Sequence, residues 1–86
     1  NEPGYYEKNQ FGIRIENLIY VKKDKNKTCF DNLTMAPIDK ELIDQRILNS
    51  NEKNWLNSYH KKVFSNLNKF MNKAEVLELR KSCSAI

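Results

Sequence analysis

Apolar and polar residues alternate strictly from Phe11 to Glu16: Phe11, Ile13 and Ile15 are apolar, whereas Gly12, Arg14 and Glu16 are not. Side chains on a strand point to opposite faces with period two. The stretch therefore predicts a strand with one core face and one face carrying an arginine beside a glutamate. At Asn17-Leu18-Ile19-Tyr20-Val21 the alternation gives way to a denser apolar run, as if the strand continued with both faces covered. After a run of lysines, residues 28–35 read as another short strand, ended by Pro37, which has no N–H for a ladder. The second half has a helical period. Residues 39–48 have room for one or two short turns around Leu42, Ile43 and Ile47. Asn49 or Ser50 suits an N-cap, with Glu52 at capping-box spacing from Asn49. Trp55, Leu56, Tyr59, Val63, Phe64, Leu67, Phe70 and Met71 then recur at three- and four-residue steps, one broad apolar face of a helix about five turns long. Trp55 heads that face and is expected to be buried. A second short helix over residues 74–81 carries Val76, Leu77 and Leu79.

The segment before the first strand changes the picture. Glu2 is followed directly by Pro3-Gly4, and Glu7-Lys8-Asn9-Gln10 has the composition of a turn. If those four residues close a hairpin, Glu2 comes opposite Glu16, because each lies seven residues from Asn9. Two carboxylates at one point make half of a metal site. The competing reading is a solvated edge strand, on which exposed glutamates do no more than keep the surface soluble. Gly12 beside Arg14 and Glu16 favours a site, since a glycine inside a strand marks close approach by a ligand or another backbone.

Glu2-Pro3-Gly4-Tyr5-Tyr6 followed by Phe11-Gly12-Ile13-Arg14-Ile15-Glu16-Asn17 closely resembles the last metal-binding segment of the Xaa-Pro aminopeptidases (aminopeptidase P), metallopeptidases of the pita-bread fold. Leu33-Thr34-Met35-Ala36-Pro37-Ile38 and Trp55-Leu56-Asn57-Ser58-Tyr59-His60 resemble the C-terminal extension of the large, three-domain members. The resemblance fades after about Met71. It implies two divalent metal ions, typically manganese, held by two aspartates, one histidine and two glutamates. Glu2 matches the glutamate that binds one metal, Glu16 the one that bridges both, and Arg14 an arginine that steadies the ligands. The aspartates and the histidines of that site have no counterpart in this chain; in the family they lie upstream. The resemblance thus implies a C-terminal piece of an enzyme that acts on peptides with an Xaa-Pro N-terminus. Its implied partners are the remainder of the same catalytic domain and, since large members are generally homodimers, a second copy.

Charge and composition narrow the alternatives. The chain has 86 residues, 30% of them charged and 40% hydrophobic, enough for one small domain with a modest core. No apolar run approaches the roughly 20 residues of a membrane span, and no charged segment precedes an apolar one in the manner of a signal peptide. A cytoplasmic, membrane-free protein is the expectation, and a start at Asn1 without methionine agrees with a piece of a longer chain. The net charge of +4 invites a nucleic-acid reading. The one basic cluster, residues 22–27, lacks the interleaved aromatic residues of a stacking platform and reads as a solvated loop, so no nucleic acid is expected as partner. Cys29 and Cys83 have no zinc spacing and read as free thiols. His60, the one histidine, has no carboxylate partner at metal spacing and reads as a packing residue.

The fold class expected is α+β: the C-terminal part of a pita-bread fold, with antiparallel strands over residues 1–37, and a helical C-terminal extension over residues 38–86. Three rivals to the aminopeptidase reading stand beside it. A prolidase would share Glu2, Arg14 and Glu16, and the helical extension after Pro37 counts against it. A non-catalytic pita-bread interaction protein would be expected to have lost ligands, and both glutamates are intact. A free-standing small binding domain is disfavoured by so incomplete a sheet.

Overall fold

The computed structural model describes all of residues 1–86. Its contacts divide the chain into two compact units, Asn1–Thr34 and Met35–Ile86. The architecture is the expected α+β one, antiparallel strand pairs followed by helices.

In the first unit, β1 (Gly4–Glu7) pairs antiparallel with β2 (Phe11–Arg14), and β3 (Ile19–Asp24) with β4 (Lys27–Asn32). These are two separate two-stranded sheets, not the single sheet the sequence suggests. The reason lies at Asn17 and Leu18. Backbone bonds tie Asn17 to Asn1, whereas the Leu18 carbonyl accepts from the Leu33 amide at 2.8 Å. The extended chain thus changes partner between adjacent residues, and β3 is a new strand rather than the end of β2.

Each hairpin turns where the backbone enters the left-handed region. Asn9 does so at φ 59°, with the Gln10 amide donating to the Glu7 carbonyl at 3.1 Å. Asparagine tolerates this region well. Lys25 and Asn26 both have positive φ, 45° and 67°, the signature of a two-residue type I′ turn. The lysine run is therefore not an open loop: Lys22 and Lys23 lie in β3 and Lys27 opens β4. The sequence hides this hairpin because Lys25-Asn26 lacks the glycine that usually announces it.

In the second unit, Asn49 caps α1 (Ser50–Leu67) and Asn72 caps α2 (Lys73–Ser82) in the same way. Each asparagine side chain accepts from the amide of the glutamate three residues on, Glu52 or Glu75, and that glutamate accepts in return from the asparagine amide. A reciprocal box satisfies two amides that the first helical turn leaves without partners. Of residues 39–48, only Lys40–Leu42 form a helical turn, of 3-10 type and capped by Asp39.

The core is small. Leu56, Tyr59, His60 and Val63 are the buried residues of α1, and Tyr59 and Val63 pack with Leu79 of α2. Met35, Ile38, Phe64, Leu67, Met71 and Cys83 close around them. Trp55 is not part of this core and the expectation of its burial is corrected. It remains 58% exposed whereas Leu56 is 4% exposed. The buried line runs Leu56, Tyr59, His60, Val63, at positions i, i+3, i+4 and i+7, and Trp55 precedes it by one residue, about 100° round the helix. Its ring instead stacks on the outer face of Tyr59, with centroids 5.5 Å apart and planes 4° from parallel. Phe70, also on the predicted face, is exposed in a 3-10 turn, with the Lys69 ammonium 5.3 Å from its ring.

Burial therefore separates two neighbours that the sequence treats alike. Leu56→Ala should cost about 2–5 kcal/mol, the range for deleting a packed aliphatic side chain. Trp55→Ala should cost clearly less, because more than half of that side chain already faces solvent. Chemical denaturation of the two variants in one full-length background is the comparison. Equal losses would mean that the Trp55 stack is itself a core element.

Candidate metal centre

The register of the first hairpin decides which side chains share a face. Gly4 pairs with Arg14, Tyr5 with Ile13, Tyr6 with Gly12 and Glu7 with Phe11. The ladder extends past the strand ends. The Ile15 amide donates to the Pro3 carbonyl at 3.1 Å, and Asn1 and Asn17 exchange bonds of 2.9 and 3.1 Å. Glu2 and Glu16 lie between these bonded pairs and so form the next non-bonded pair of the ladder. At such pairs the Cα atoms approach to about 4.5 Å and the side chains leave on the same face. The hairpin thus brings the two glutamates together, as the count from Asn9 predicts.

Arg14 shares their face. Its Nη1 donates to Glu2 Oε2 at 3.1 Å, and its Nε lies 3.8 Å from Glu16 Oε2. The guanidinium therefore holds Glu2 by a hydrogen bond and Glu16 by charge alone. A planar fork serves two carboxylates on different edges at once, which a lysine cannot do. All three side chains are half exposed or more, so forming the cluster costs little desolvation.

The two glycines of this face have a single explanation, one that the sequence reading missed. A Cβ on Gly12 would lie 2.6 Å from Tyr6 Cδ1, and a Cβ on Gly4 would lie 2.8 Å from the Tyr6 hydroxyl. The Tyr6 ring is laid along the hairpin across both vacancies, with its hydroxyl at the position facing Arg14. The group that approaches Gly12 is thus a side chain of the same hairpin, not the ligand or second backbone expected there, and the glycine no longer counts in favour of a site. The signal was present in the sequence: Gly4, Tyr6 and Gly12 share one face once the turn is centred on Asn9.

Hard carboxylate oxygens suit manganese, magnesium or calcium better than they suit soft, thiolate-preferring ions. Glu2 and Glu16 fit as part of such a site, their oxygens already gathered by Arg14. They are not a whole one, since no group of three or more His, Cys, Asp or Glu side chains converges anywhere in the chain. His60 offers no ligand, because its Nε2 accepts the Ile38 amide at 3.0 Å. Cys29 and Cys83 are free thiols. No helix is long and apolar enough to cross a membrane.

Comparison with known proteins points in one direction. The family described as the C-terminal region of peptidase M24 matches residues 27–86. A protein of Sclerotinia sclerotiorum named "Probable Xaa-Pro aminopeptidase P" is 46% identical over 78 residues, 81% of this chain and 13% of the relative. A protein of the same name from Laccaria bicolor is 40% identical over an alignment that takes in 100% of this chain and 15% of the relative. Among crystal structures, the X-prolyl aminopeptidase of Caenorhabditis elegans is similar with a TM-score of 0.81 and 35% identity, covering 99% of this chain and 15% of that one. It is described as a cytosolic enzyme with a di-nuclear active site. The chain spans well under a fifth of the length of these relatives.

The seat under Tyr6 can be tested by reversal of sign. Gly12→Ala should destabilise the hairpin by about 0.5–1.5 kcal/mol, since the new methyl must push the largely exposed Tyr6 ring off its rotamer. In a Tyr6→Ala background the same change should be neutral or slightly stabilising, as glycine replacement in a compatible strand usually is. Denaturation of the four proteins of this cycle measures the coupling, and additive effects would mean that ring and glycine do not compete for space.

Proposed function

The chain belongs to the peptidase M24 family, as a C-terminal piece of an Xaa-Pro aminopeptidase P, and from that footing we propose that it supplies Glu2 and Glu16 as ligands of a dinuclear metal site. In the complete protein that site would hydrolyse the bond between an N-terminal residue and a following proline. The observation that supports this reading best is the register: Glu2 and Glu16 are cross-strand neighbours, and Arg14 is hydrogen-bonded to the first and within ion-pair range of the second.

Glu2 would hold one ion and Glu16 would be shared between two, with manganese, one of the ions that hard oxygens suit, as the ion that the family resemblance implies. A pair of divalent ions, when bound, supplies Lewis acidity towards a peptide carbonyl and brings the pKa of an attached water close to neutrality. The protein's own contribution at this end of the site is orientation. Arg14 keeps both carboxylates on one face, and the ladder bonds on either side of the pair hold their backbones at fixed separation. The remaining ligands come from the rest of the catalytic domain, which is also the partner that covers the apolar face of the hairpin, Tyr5, Phe11, Ile13 and Ile15, all exposed in this chain. The complete enzyme is proposed to be cytosolic, as the C. elegans neighbour is described, and to act as a homodimer on peptides with an Xaa-Pro N-terminus. Residues 38–86, the helical extension, distinguish it from a prolidase. A tripeptide with proline in second position should therefore be a better substrate than an Xaa-Pro dipeptide.

Glu16→Gln in the full-length protein is the decisive variant. The amide has the shape of the carboxylate but lacks its charge and offers only one good ligand oxygen. Metal occupancy should fall below two ions per subunit, and turnover of an Xaa-Pro peptide should be lost with it. Arg14→Lys should do less damage, since the charge stays and only the planar fork goes. Circular dichroism should be unchanged in both. Residues 1–86 alone should show no turnover. Full occupancy with near-normal turnover in the glutamine variant would reduce Glu16 to an ordinary surface glutamate.

A further inference from the structure

Two adjacent side chains of α1 grip the segment by which the chain enters the helical unit. The Tyr59 hydroxyl donates to the Ala36 carbonyl at 2.7 Å, and His60 Nε2 accepts the Ile38 amide at 3.0 Å. Pro37, between them, has no N–H to offer. His60 is 0% exposed. An imidazole nitrogen accepts a hydrogen bond only when it carries no proton, so Nε2 is bare and the proton resides on Nδ1. That Nδ1 is itself buried and without a partner.

We propose that His60 is an acid-sensitive latch: neutral, it holds the entering backbone at Ile38, and protonation releases that segment. In the imidazolium both nitrogens are donors, so Nε2–H would face the Ile38 N–H with no acceptor between them. The positive charge would also have to be carried in a fully buried position.

The surroundings push in the same direction. From the entering segment, the Lys40 ammonium bears on the imidazole; it is anchored to the carbonyls of Lys81 and Ser84, at the end of α2, at 2.8 and 3.0 Å. On α1 itself the neighbour is the Tyr59 ring, its centroid 5.8 Å away. At the end of α2, the Cys83 thiol feels the same ammonium, and burial pushes its pKa up, which keeps it uncharged. No carboxylate is among the groups acting on the imidazole. Burial first, and Lys40 after it, thus hold His60 below its ordinary value.

The sign follows. A released or unfolded histidine takes up protons from about pH 6.5 downwards, whereas the latched one resists. The latch is at full strength above that pH and weakens as pH falls below it, until the buried imidazole titrates too. Each unit of pH within the window raises the released population by up to about tenfold. A histidine buried without the Ile38 bond would also lose stability on acidification, but with no release centred on that amide.

Hydrogen–deuterium exchange of the full-length protein at about pH 7.5 and about pH 5.5, corrected for the intrinsic pH dependence of amide exchange, reads this directly without recourse to activity. Peptides containing Ile38 should exchange up to about tenfold faster at the lower pH. In His60→Gln, whose side-chain oxygen keeps an acceptor that does not titrate, the corrected rates should be the same at both. Equal protection at both pH values in the wild type would overturn the latch, as would the same acid release in the glutamine variant. Should that variant not fold, NMR titration of the wild-type imidazole decides: a midpoint at or above the ordinary histidine value sinks the proposal.

Discussion

The antiparallel register of the first hairpin is the constraint on which the candidate site depends. Gly4 opposite Arg14 and Tyr6 opposite Gly12 leave Glu2 no neighbour across the ladder but Glu16. A slip of one residue would set Glu2 against Ile15 or Asn17 and send Glu16 to the other face. The register in turn rests on a turn centred at Asn9, the one residue of that loop whose backbone enters the left-handed region. The bonds between Asn1 and Asn17 and between Pro3 and Ile15 then bracket the carboxylates. The meeting of Glu2 and Glu16 is thus conditional on conformation several residues away.

The same hairpin shows why its two faces differ. On one, Arg14 gathers the carboxylates, and the glycine pair makes room for the ring of Tyr6. On the other, Tyr5, Phe11, Ile13 and Ile15 form an apolar surface that nothing in the chain buries; indeed no residue before Leu56 is buried. Two-stranded hairpins are marginal by themselves in water. The site half of the chain has clear local geometry without a core of its own.

The helical unit has the reverse character. Its helices begin at matched Asn–Glu boxes, its core is the seam between Tyr59, Val63 and Leu79, and its incoming segment is gripped by Tyr59 and His60. Lys40 closes the other end by donating to carbonyls at the end of α2 and to the Ser84 hydroxyl. Cations at a helix C-terminus answer both its free carbonyls and its dipole. Burial and capping here reinforce each other, and the unused donor at His60 Nδ1 is the one place where they do not.

Short-range rules were enough for much of this. Period-two alternation located β2, equal distances from Asn9 put Glu2 opposite Glu16, and the Asn49–Glu52 spacing marked the start of α1. The second helix, expected from residue 74, begins at Lys73 behind an Asn72–Glu75 box of the same spacing. Each depends only on backbone geometry over a few residues, which the order of side chains dictates directly. The tertiary structure alone decided the rest: that the extended chain changes partner at Leu18, that Tyr6 is what fills the space over Gly12, that Leu56 rather than Trp55 enters the core, and that His60 is sealed against Ile38. Burial is a property of two surfaces meeting, and a helix with a broad apolar face does not itself reveal which arc of that face its neighbour will cover.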